Sequence, residues 1–297
     1  MLVKRTVDRI GRLWTVASLA LVVGGCQSQP PVASGPPQRV ISLTPSLTEI
    51  VMILGARDRL VGVDQFSRRS PDVAKLGDVS KLPIAGDFVA PNVEVIARMK
   101  PDLIVFDAAQ AKAAASLAGA GYRTLSIEMH SIADVRAALV QVADALGRAA
   151  EGEKAVQAID EAIATAKESR SLTSKPRVLW IIDRAPGALS GLIGAGPGSY
   201  GDELLRLVGS QNVLAPTSIR YPKISREALE RLEIDLVIDS SGAAQESMKE
   251  WPTPGSRVVA ALPTSAAIPR PNLPSSLQRI GELVRRAARD VSPPSKK

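Results

Sequence analysis

Two stretches of the chain, NVEVIARMKPDLIV (residues 92–105) and SREALERLEIDLVI (residues 225–238), match without a gap at an offset of 133 residues. In both copies a residue that can cap a helix precedes a short helical pattern, and a tight turn leads into an apolar run typical of a strand. Glu, Arg, Asp and Leu recur at the same positions of the two copies. The repeat therefore predicts two similar lobes, each containing this helix-turn-strand unit.

Strand and helix patterns alternate outward from the repeat. The pattern Ser46–Glu49 (SLTE) indicates a capping box, and the apolar residues that follow it predict the buried face of a helix. Alternation of this kind predicts parallel βαβ units. Further strands are predicted at residues 39–43, 60–63, 124–127, 177–182 and 257–260.

A long helical region interrupts this alternation. Residues 131 to about 172 are almost wholly helical in pattern, with an interruption at Gly147 and an end at Pro176. Its second part has a narrow apolar stripe and no strand of its own, so we expect it to act as a strut between two lobes. The predicted divisions are an N-terminal lobe at 39–146, a bridging helix at 147–173, a C-terminal lobe at 174–292 and a tail at 293–297.

The start of the chain has the layout of a secretory signal peptide at residues 1–25: a basic segment, an uncharged apolar stretch of 11 residues and two glycines. This stretch is too short to span a bilayer, which takes about 20 residues. Cys26 is the only cysteine, and Val23–Cys26 (VGGC) resembles a bacterial lipobox, which implies lipidation of Cys26. The alternative is an ordinary leader in which Cys26 is incidental. Residues 26–38, rich in proline and uncharged, predict an extended tether.

Composition and motifs argue against a nucleic-acid-binding protein and against an enzyme. Residues 1–25 contain four Lys and Arg residues and one Asp, so their removal lowers the net charge from +7 to +4, without a basic cluster. His130 is the only histidine, which disfavours a catalytic triad and a histidine-built metal site. The segment Gly196–Gly201 (GPGSYG) matches G-x-G-x-x-G but lacks the acidic residue of a dinucleotide site. It is either a loop that offers N–H groups to an anion or simply a loop. We expect no catalytic residue, no metal site and no cofactor.

Two glutamates occupy equivalent places in the repeat. Glu94 and Glu227 each stand two residues after a predicted helix cap, Asn92 or Ser225. They complement the helix macrodipoles there, or they are exposed carboxylates at the tips of the two lobes that pair with arginines of a partner.

These residues carry a family resemblance over roughly residues 38–290. Residues 39–63 (RVISLTPSLTEIVMILGARDRLVGV), 92–105 and 221–238 resemble the iron-siderophore, haem and vitamin B12 class of substrate-binding proteins of ABC importers. The resemblance implies an α/β fold with two Rossmann-like lobes, central parallel sheets, one long bridging helix and a ligand cleft between the lobes. It also implies a protein that acts as a monomer, lipid-anchored to a membrane and facing the periplasm or the cell exterior.

The resemblance also implies roles for individual residues. Glu94 and Glu227 fall where the family has the two glutamates that dock onto arginines of the permease dimer. The basic residues Arg68, Arg69, Arg220 and Lys223 are expected either to make the cleft basic, which would suit a ferric siderophore or haem propionates, or to form a solvated surface. The expected ligand-binding residues are Phe66, Arg68, Asp107, Ile193, Ser199, Arg220 and Tyr221.

The predicted function is therefore a non-enzymatic binding lipoprotein of an ABC importer. It captures a metal chelate, a corrinoid such as vitamin B12, a ferric siderophore or haem, and delivers it to the permease. The alternatives are a sensing or scaffolding lipoprotein with the same fold, and an enzyme on the same scaffold.

Overall fold

The computed structural model describes residues 35–87, 90–170, 175–242, 251 and 258–291. Cys26, the predicted leader and the predicted tail at 293–297 lie outside these residues, as does the tether before residue 35. Among the described residues, no helix combines the length and the apolar character that crossing a bilayer requires.

The first sheet contains four parallel strands in the order β2-β1-β3-β4. The strands are β1 (Val40–Ser42), β2 (Leu60–Val63), β3 (Leu103–Asp107) and β4 (Thr124–Ile127). Because each strand is followed by a turn or helix that returns to the opposite edge, the carboxyl ends of all four strands lie at one edge of the sheet. The first lobe, built on this sheet, contains the helices α1 (Pro45–Ile53), α2 (Gln65–Arg69), α3 (Pro71–Leu76), α4 (Val93–Met99), α5 (Ala111–Gly119) and α6 (Ile132–Leu146).

The second sheet has a parallel part and an antiparallel extension. Its strands are β5 (Arg177–Asp183), β6 (Leu192–Gly194), β7 (Gln211–Asn212), β8 (Lys223–Ile224), β9 (Leu236–Asp239) and β10 (Val258–Ala261). The strands β7, β9 and β10 run parallel to β5, whereas β6 pairs with β5 in the antiparallel sense and β8 pairs with β6 in the antiparallel sense. The second lobe, built on this sheet, also contains α8 (Tyr200–Leu207), α9 (Arg226–Arg231) and α10 (Leu273–Val291). The two parallel-sheet lobes are confirmed, and the antiparallel extension was not predicted.

The repeat corresponds to a shared topology. The order β2-β1-β3-β4 of the first sheet matches the order β7-β5-β9-β10 of the parallel part of the second. The repeated aspartate fastens the central strand in both lobes: the carboxylate of Asp102 accepts the N–H of Arg39 at 2.8 Å, and that of Asp235 accepts the N–H of Arg177 at 2.8 Å. The shared spacing of the two copies thus places an aspartate where its carboxylate accepts a backbone N–H at the start of the first strand of each lobe.

The helix α7 (Ala149–Glu168) connects the two lobes. It begins after Gly147, whose positive φ of 64° ends α6, and it packs against α6 of the first lobe and α10 of the second. A single cluster of buried apolar residues includes Val40 of the first sheet and Trp180 of the second. The lobes also share a hydrogen bond of 2.9 Å from the N–H of Ile132 to the Glu203 carboxylate. The two lobes are therefore packed together along α7. The domain boundaries predicted from the sequence stay predictions.

The predicted capping box at Ser46–Glu49 is wrong. The helix α1 begins one residue earlier, at Pro45, with Thr44 at its N-cap and no side-chain cap. The fixed φ of proline suits the first helical position, so this helix begins without a cap side chain. The Glu49 side chain, 1% exposed, is paired instead with Arg270.

Candidate functional site

A cavity of about 550 Å³ lies at the carboxyl edge of the first sheet and is shared by the two lobes. Ligand sites of open α/β sheets are found outside the carboxyl ends of the strands, and volumes of about 300–1,000 Å³ are typical of small-molecule pockets. The described residues that line it are Thr44, Pro45, Ser46, Phe66, Ser70, Asp87, Asp107, Met129, Ser265, Ile268 and Arg270. The last three belong to the second lobe.

Phe66 and Ile268 give the cavity apolar surface from both lobes. Their side chains are 52% and 48% exposed, so both can contact a molecule in the cavity. Phe66 is held at the start of α2 by Asp64, whose carboxylate accepts the N–H groups of Phe66 at 2.7 Å and Ser67 at 3.0 Å. Burial raises the pKa of Asp64 above its usual value, and these hydrogen bonds oppose the shift. The aromatic ring is therefore presented to the cavity by a rigid, buried cap.

Asp107 ends β3 with its side chain at the cavity. Its carboxylate accepts the N–H of Ala109 at 2.8 Å, and its own N–H donates to the Gln110 side chain at 3.0 Å. Burial raises the pKa of Asp107, and His130 nearby opposes that shift. His130 itself is exposed and pairs with Glu128 at 3.1 Å. Asp107 is therefore a hydrogen-bond acceptor with a partly desolvated charge.

Hydrogen-bond donors at the cavity come from the start of α1. The Thr44 hydroxyl is buried and has no hydrogen-bond partner within the described part of the chain. The N–H groups of Ser46 and Leu47 in the first turn are likewise unpartnered among the described residues. Because the first N–H groups of a helix have no acceptor within it, a ligand oxygen placed here would satisfy them.

Arg270 is the one cationic side chain among the described residues that line the cavity, and acidic groups of the first lobe already engage it. Its guanidinium is bidentate to the Glu49 carboxylate and donates to Asp72 at 2.7 Å. The side chain is only 5% exposed, and burial lowers its pKa to about 10, which leaves it charged at neutral pH. Sequence reasoning missed this group, whose local signal is limited to an arginine between two prolines, Pro269 and Pro271.

The structure divides the predicted ligand-binding residues into two sets. Phe66 and Asp107 lie together at the cavity. Arg220 and Tyr221 lie in a second-lobe segment against Gly196, whose N–H donates to the Arg220 carbonyl at 2.8 Å. Ser199 neighbours this segment but is fully buried, and its hydroxyl caps α8 by accepting the N–H of Asp202 at 3.2 Å.

The predicted basic residues do not line this cavity among its described residues. Arg68 and Arg69 lie exposed on α2, and Arg220 and Lys223 lie exposed in the second lobe. Ile193 is half-buried on β6 and pairs with Lys223 on β8. Contact of these residues with a ligand stays a prediction, and the described residues that line the cavity carry carboxylates rather than free cations.

The two repeat glutamates occupy matching exposed positions. Glu94 and Glu227 are each the second residue of a short helix, after Asn92 and Ser225. Both caps accept the N–H three residues ahead, at 3.0 Å in the first lobe and 3.2 Å in the second. The pKa of Glu227 is lowered by its own N–H and by the Ser225 hydroxyl. The glutamates can therefore serve as two exposed, negatively charged contacts, one on each lobe.

No group of three or more His, Cys, Asp or Glu side chains suited to holding a metal ion occurs in the part of the chain that the structure describes. What the site offers is a partly open, mainly apolar cleft with a few oriented donors and acceptors. Such an arrangement recognises a preformed small molecule.

The fold and this cleft define a binding protein with two lobes, and comparison with known families assigns the class. Residues 40–253 match the periplasmic binding protein family, and the chain belongs to that family. Members of this family are solute-binding, non-enzymatic components of transport systems.

Three similar proteins illustrate the range of this class. An uncharacterized ABC transporter substrate-binding lipoprotein of Bacillus subtilis, YvrC, is 24% identical over 72% of this chain and 67% of its own length. A vitamin B12-binding protein of Vibrio parahaemolyticus is 24% identical over 72% of this chain and 75% of its own. Among solved structures, the periplasmic haem-binding protein RhuT of Roseiflexus has a TM-score of 0.73 at 22% identity, covering 86% of this chain and all of that one.

Proposed function

We propose that this binding protein captures a corrinoid, a neutral metal chelate surrounded by amide groups, and delivers it to an ABC permease. The observation that carries the proposal is Arg270, the cation at the cavity, whose charge is compensated by Glu49 and Asp72. Carboxylate groups of haem or of an anionic ferric siderophore would meet Asp107 without a free cation among the described lining residues to pair with, which disfavours them in a partly desolvated site.

Amide groups suit the polar groups of the cavity. An amide oxygen would accept from the Thr44 hydroxyl and from the N–H groups at the start of α1, and an amide N–H₂ would donate to Asp107. The apolar surface of Phe66, Ile268 and Met129 would contact the macrocycle. The vitamin B12-binding relative of Vibrio parahaemolyticus supports this choice by its name. The second candidate is haem, favoured by the structural likeness to the Roseiflexus protein.

A binding panel tests the proposal. Cyanocobalamin, haemin, ferric siderophores and free zinc and manganese would be titrated against residues 27–297, with quenching of Trp180 and Trp251 fluorescence as the readout. We expect saturable cyanocobalamin binding at micromolar affinity or better, weakened by Phe66→Ala and unchanged by the control Val140→Ala, an exposed apolar residue on α6. Tighter binding of haemin or a siderophore than of cyanocobalamin would refute the corrinoid assignment.

Docking onto the permease is assigned to Glu94 and Glu227. Their matching exposed positions support two equivalent ion pairs with arginines of a two-fold symmetric partner. Charge reversal of both, Glu94→Lys with Glu227→Lys, is expected to abolish uptake in cells and to leave ligand affinity unchanged. Loss of affinity would place these residues in ligand binding instead, and unimpaired uptake would refute their role in docking.

Lipidation of Cys26 would hold the protein at the membrane. The lipobox-like sequence VGGC supports it, and the YvrC relative is described as a lipoprotein. Expressed in bacteria, the chain is expected to fractionate with membranes and to carry acyl mass on Cys26, whereas Cys26→Ala is released. A membrane-bound chain that takes up no ligand in cells would favour a sensing or scaffolding lipoprotein.

A further inference from the structure

The second lobe contributes to the cavity through one short segment, residues 264–270, called the strap here. It consists of a 3-10 turn at Thr264–Ala267 and the three residues that lead towards α10. Ser265, Ile268 and Arg270 supply every second-lobe contact that the described residues make with the cavity.

The strap is fastened to the first lobe near both of its ends. The Ser265 hydroxyl donates to Asp72 at 2.8 Å, and the Pro269 carbonyl accepts from the Ser46 hydroxyl at 3.0 Å. Arg270 adds its bonds to Asp72 and to Glu49. Three successive attachments over six residues leave the strap little freedom to move away from the first lobe.

Arg270 is the strongest of these attachments. Its planar guanidinium binds two carboxylates in fixed directions, and the Arg270 and Glu49 side chains are 5% and 1% exposed. A charge-assisted pair in such a dry environment resists separation, because separation would leave a buried carboxylate without its partner. The exposed Ile268 lies two residues before Arg270, between fastened neighbours.

We propose that Arg270 is a positioning residue that fixes Ile268 as a preformed wall of the ligand site. The strap then moves with the first lobe as one rigid unit. The ligand then meets the contacts of both lobes in one rigid cavity, without closure of the lobes. A contact ordered in advance costs less conformational entropy on binding. The part of this inference that concerns affinity rests on the proposed function, whereas the part that concerns rigidity does not.

Hydrogen exchange in the ligand-free full chain tests the rigidity. Arg270→Lys keeps the positive charge but loses the planar guanidinium that binds two carboxylates. We expect the rate of hydrogen exchange in the peptide covering residues 263–272 to rise at least about tenfold. The control Arg136→Lys weakens an exposed pair with Asp160, and we expect no change in the same peptide. If Arg270→Lys fails to fold, Asp72→Ala takes its place, since it removes the bonds of Ser265 and Arg270 to Asp72 and leaves the pair with Glu49. Unchanged exchange of the strap in these variants would overturn the proposal.

A double-mutant cycle on cyanocobalamin affinity tests the positioning. We expect Ile268→Ala and Arg270→Lys each to weaken binding about tenfold, and the double variant to be hardly weaker than Ile268→Ala alone, because the two residues act through one contact. Independent, multiplied losses would contradict a positioning role. If the wild-type chain binds neither cyanocobalamin nor haemin, the proposed function fails, and hydrogen exchange still decides whether the strap is fixed.

Discussion

Replacing Gly196 with alanine would show what the glycine-rich loop does. A Cβ at this position would overlap the Ile219 carbonyl oxygen and lie 3.0 Å from that of Arg220 and 2.9 Å from the Pro222 ring. Two of these three neighbours are backbone atoms, so no flexible side chain can move aside. Residues 219–222 would have to shift away from the loop, together with Tyr221.

The cost of this substitution follows from the overlap. Forcing extra methyl groups into a packed region typically costs about 1–3 kcal/mol, and we expect about 2 kcal/mol here. In a protein of this size about 1 kcal/mol lowers the melting temperature by roughly 2–4 °C, so Gly196→Ala should melt about 4–8 °C lower. Thermal unfolding followed by circular dichroism measures this directly.

A matched control separates this effect from the general effect of replacing glycine. Gly119 lies in α5, and a Cβ there would have no atom within 4 Å. The same substitution at Gly119, the last residue of α5, should therefore raise the free energy of unfolding by at most about 0.5 kcal/mol, because glycine is a poor helix former and the full effect applies only within a helix. A Gly196→Ala protein as stable as the wild type would refute the packing argument and return the loop to the candidates for anion binding.

Three further predictions test the site and the repeat. Because burial raises the pKa of Asp64, the folded chain binds a proton more tightly than the unfolded chain, so wild-type stability falls as pH rises from 3.8 through the raised pKa. Asp64→Asn keeps the helix cap without the charge, so urea titrations at pH 7 should give it a free energy of unfolding at least as high as that of the wild type. The difference should shrink as the pH is lowered. Asp64→Ala removes the cap and should lower the free energy of unfolding by about 1 kcal/mol. Asp107→Asn should weaken cyanocobalamin binding about tenfold in calorimetry without loss of stability, and an unchanged affinity would remove Asp107 from the site. Asn92→Ala and Ser225→Ala should each cost about 1 kcal/mol, whereas clearly unequal losses would contradict the equivalence of the two caps.

The repeat could be predicted from the sequence because its helix caps and strands depend on residues that are close together in the chain. The helix caps Asn92 and Ser225 bond to groups three residues ahead, and the apolar runs after Asp102 and Asp235 become the strands next to the central strand of each sheet. Local bonds leave a pattern that a reader of the sequence can recognise. The aspartates themselves bond to Arg39 and Arg177, which lie 63 and 58 residues earlier, so their role became visible only in the structure.

The cavity could be predicted only in part, because some of the contacts that form it join residues far apart in the chain. Phe66 follows β2 and Asp107 ends β3, and the carboxyl ends of parallel strands meet at one edge. Glu49 fitted a local capping pattern but pairs with Arg270, which is 221 residues away. Whether a surface arginine such as Arg68 faces the cavity depends on the direction of a short helix, which composition does not specify.

The size of the lobe movement that a ligand could drive is bounded by the contacts between the lobes. A ligand bound at micromolar affinity releases about 8 kcal/mol in total. A movement that separated Arg270 from Glu49 while Glu49 stayed buried would cost roughly 3–5 kcal/mol, and parting the apolar cluster that joins Val40 to Trp180 would add to that cost. Contacts with the ligand would have to supply these costs in addition to the net free energy of about 8 kcal/mol that corresponds to micromolar affinity. A chain with this interface therefore gains more by recognising its ligand in a cavity that already has its final shape, and selectivity must come from that shape and from the few polar groups that line it.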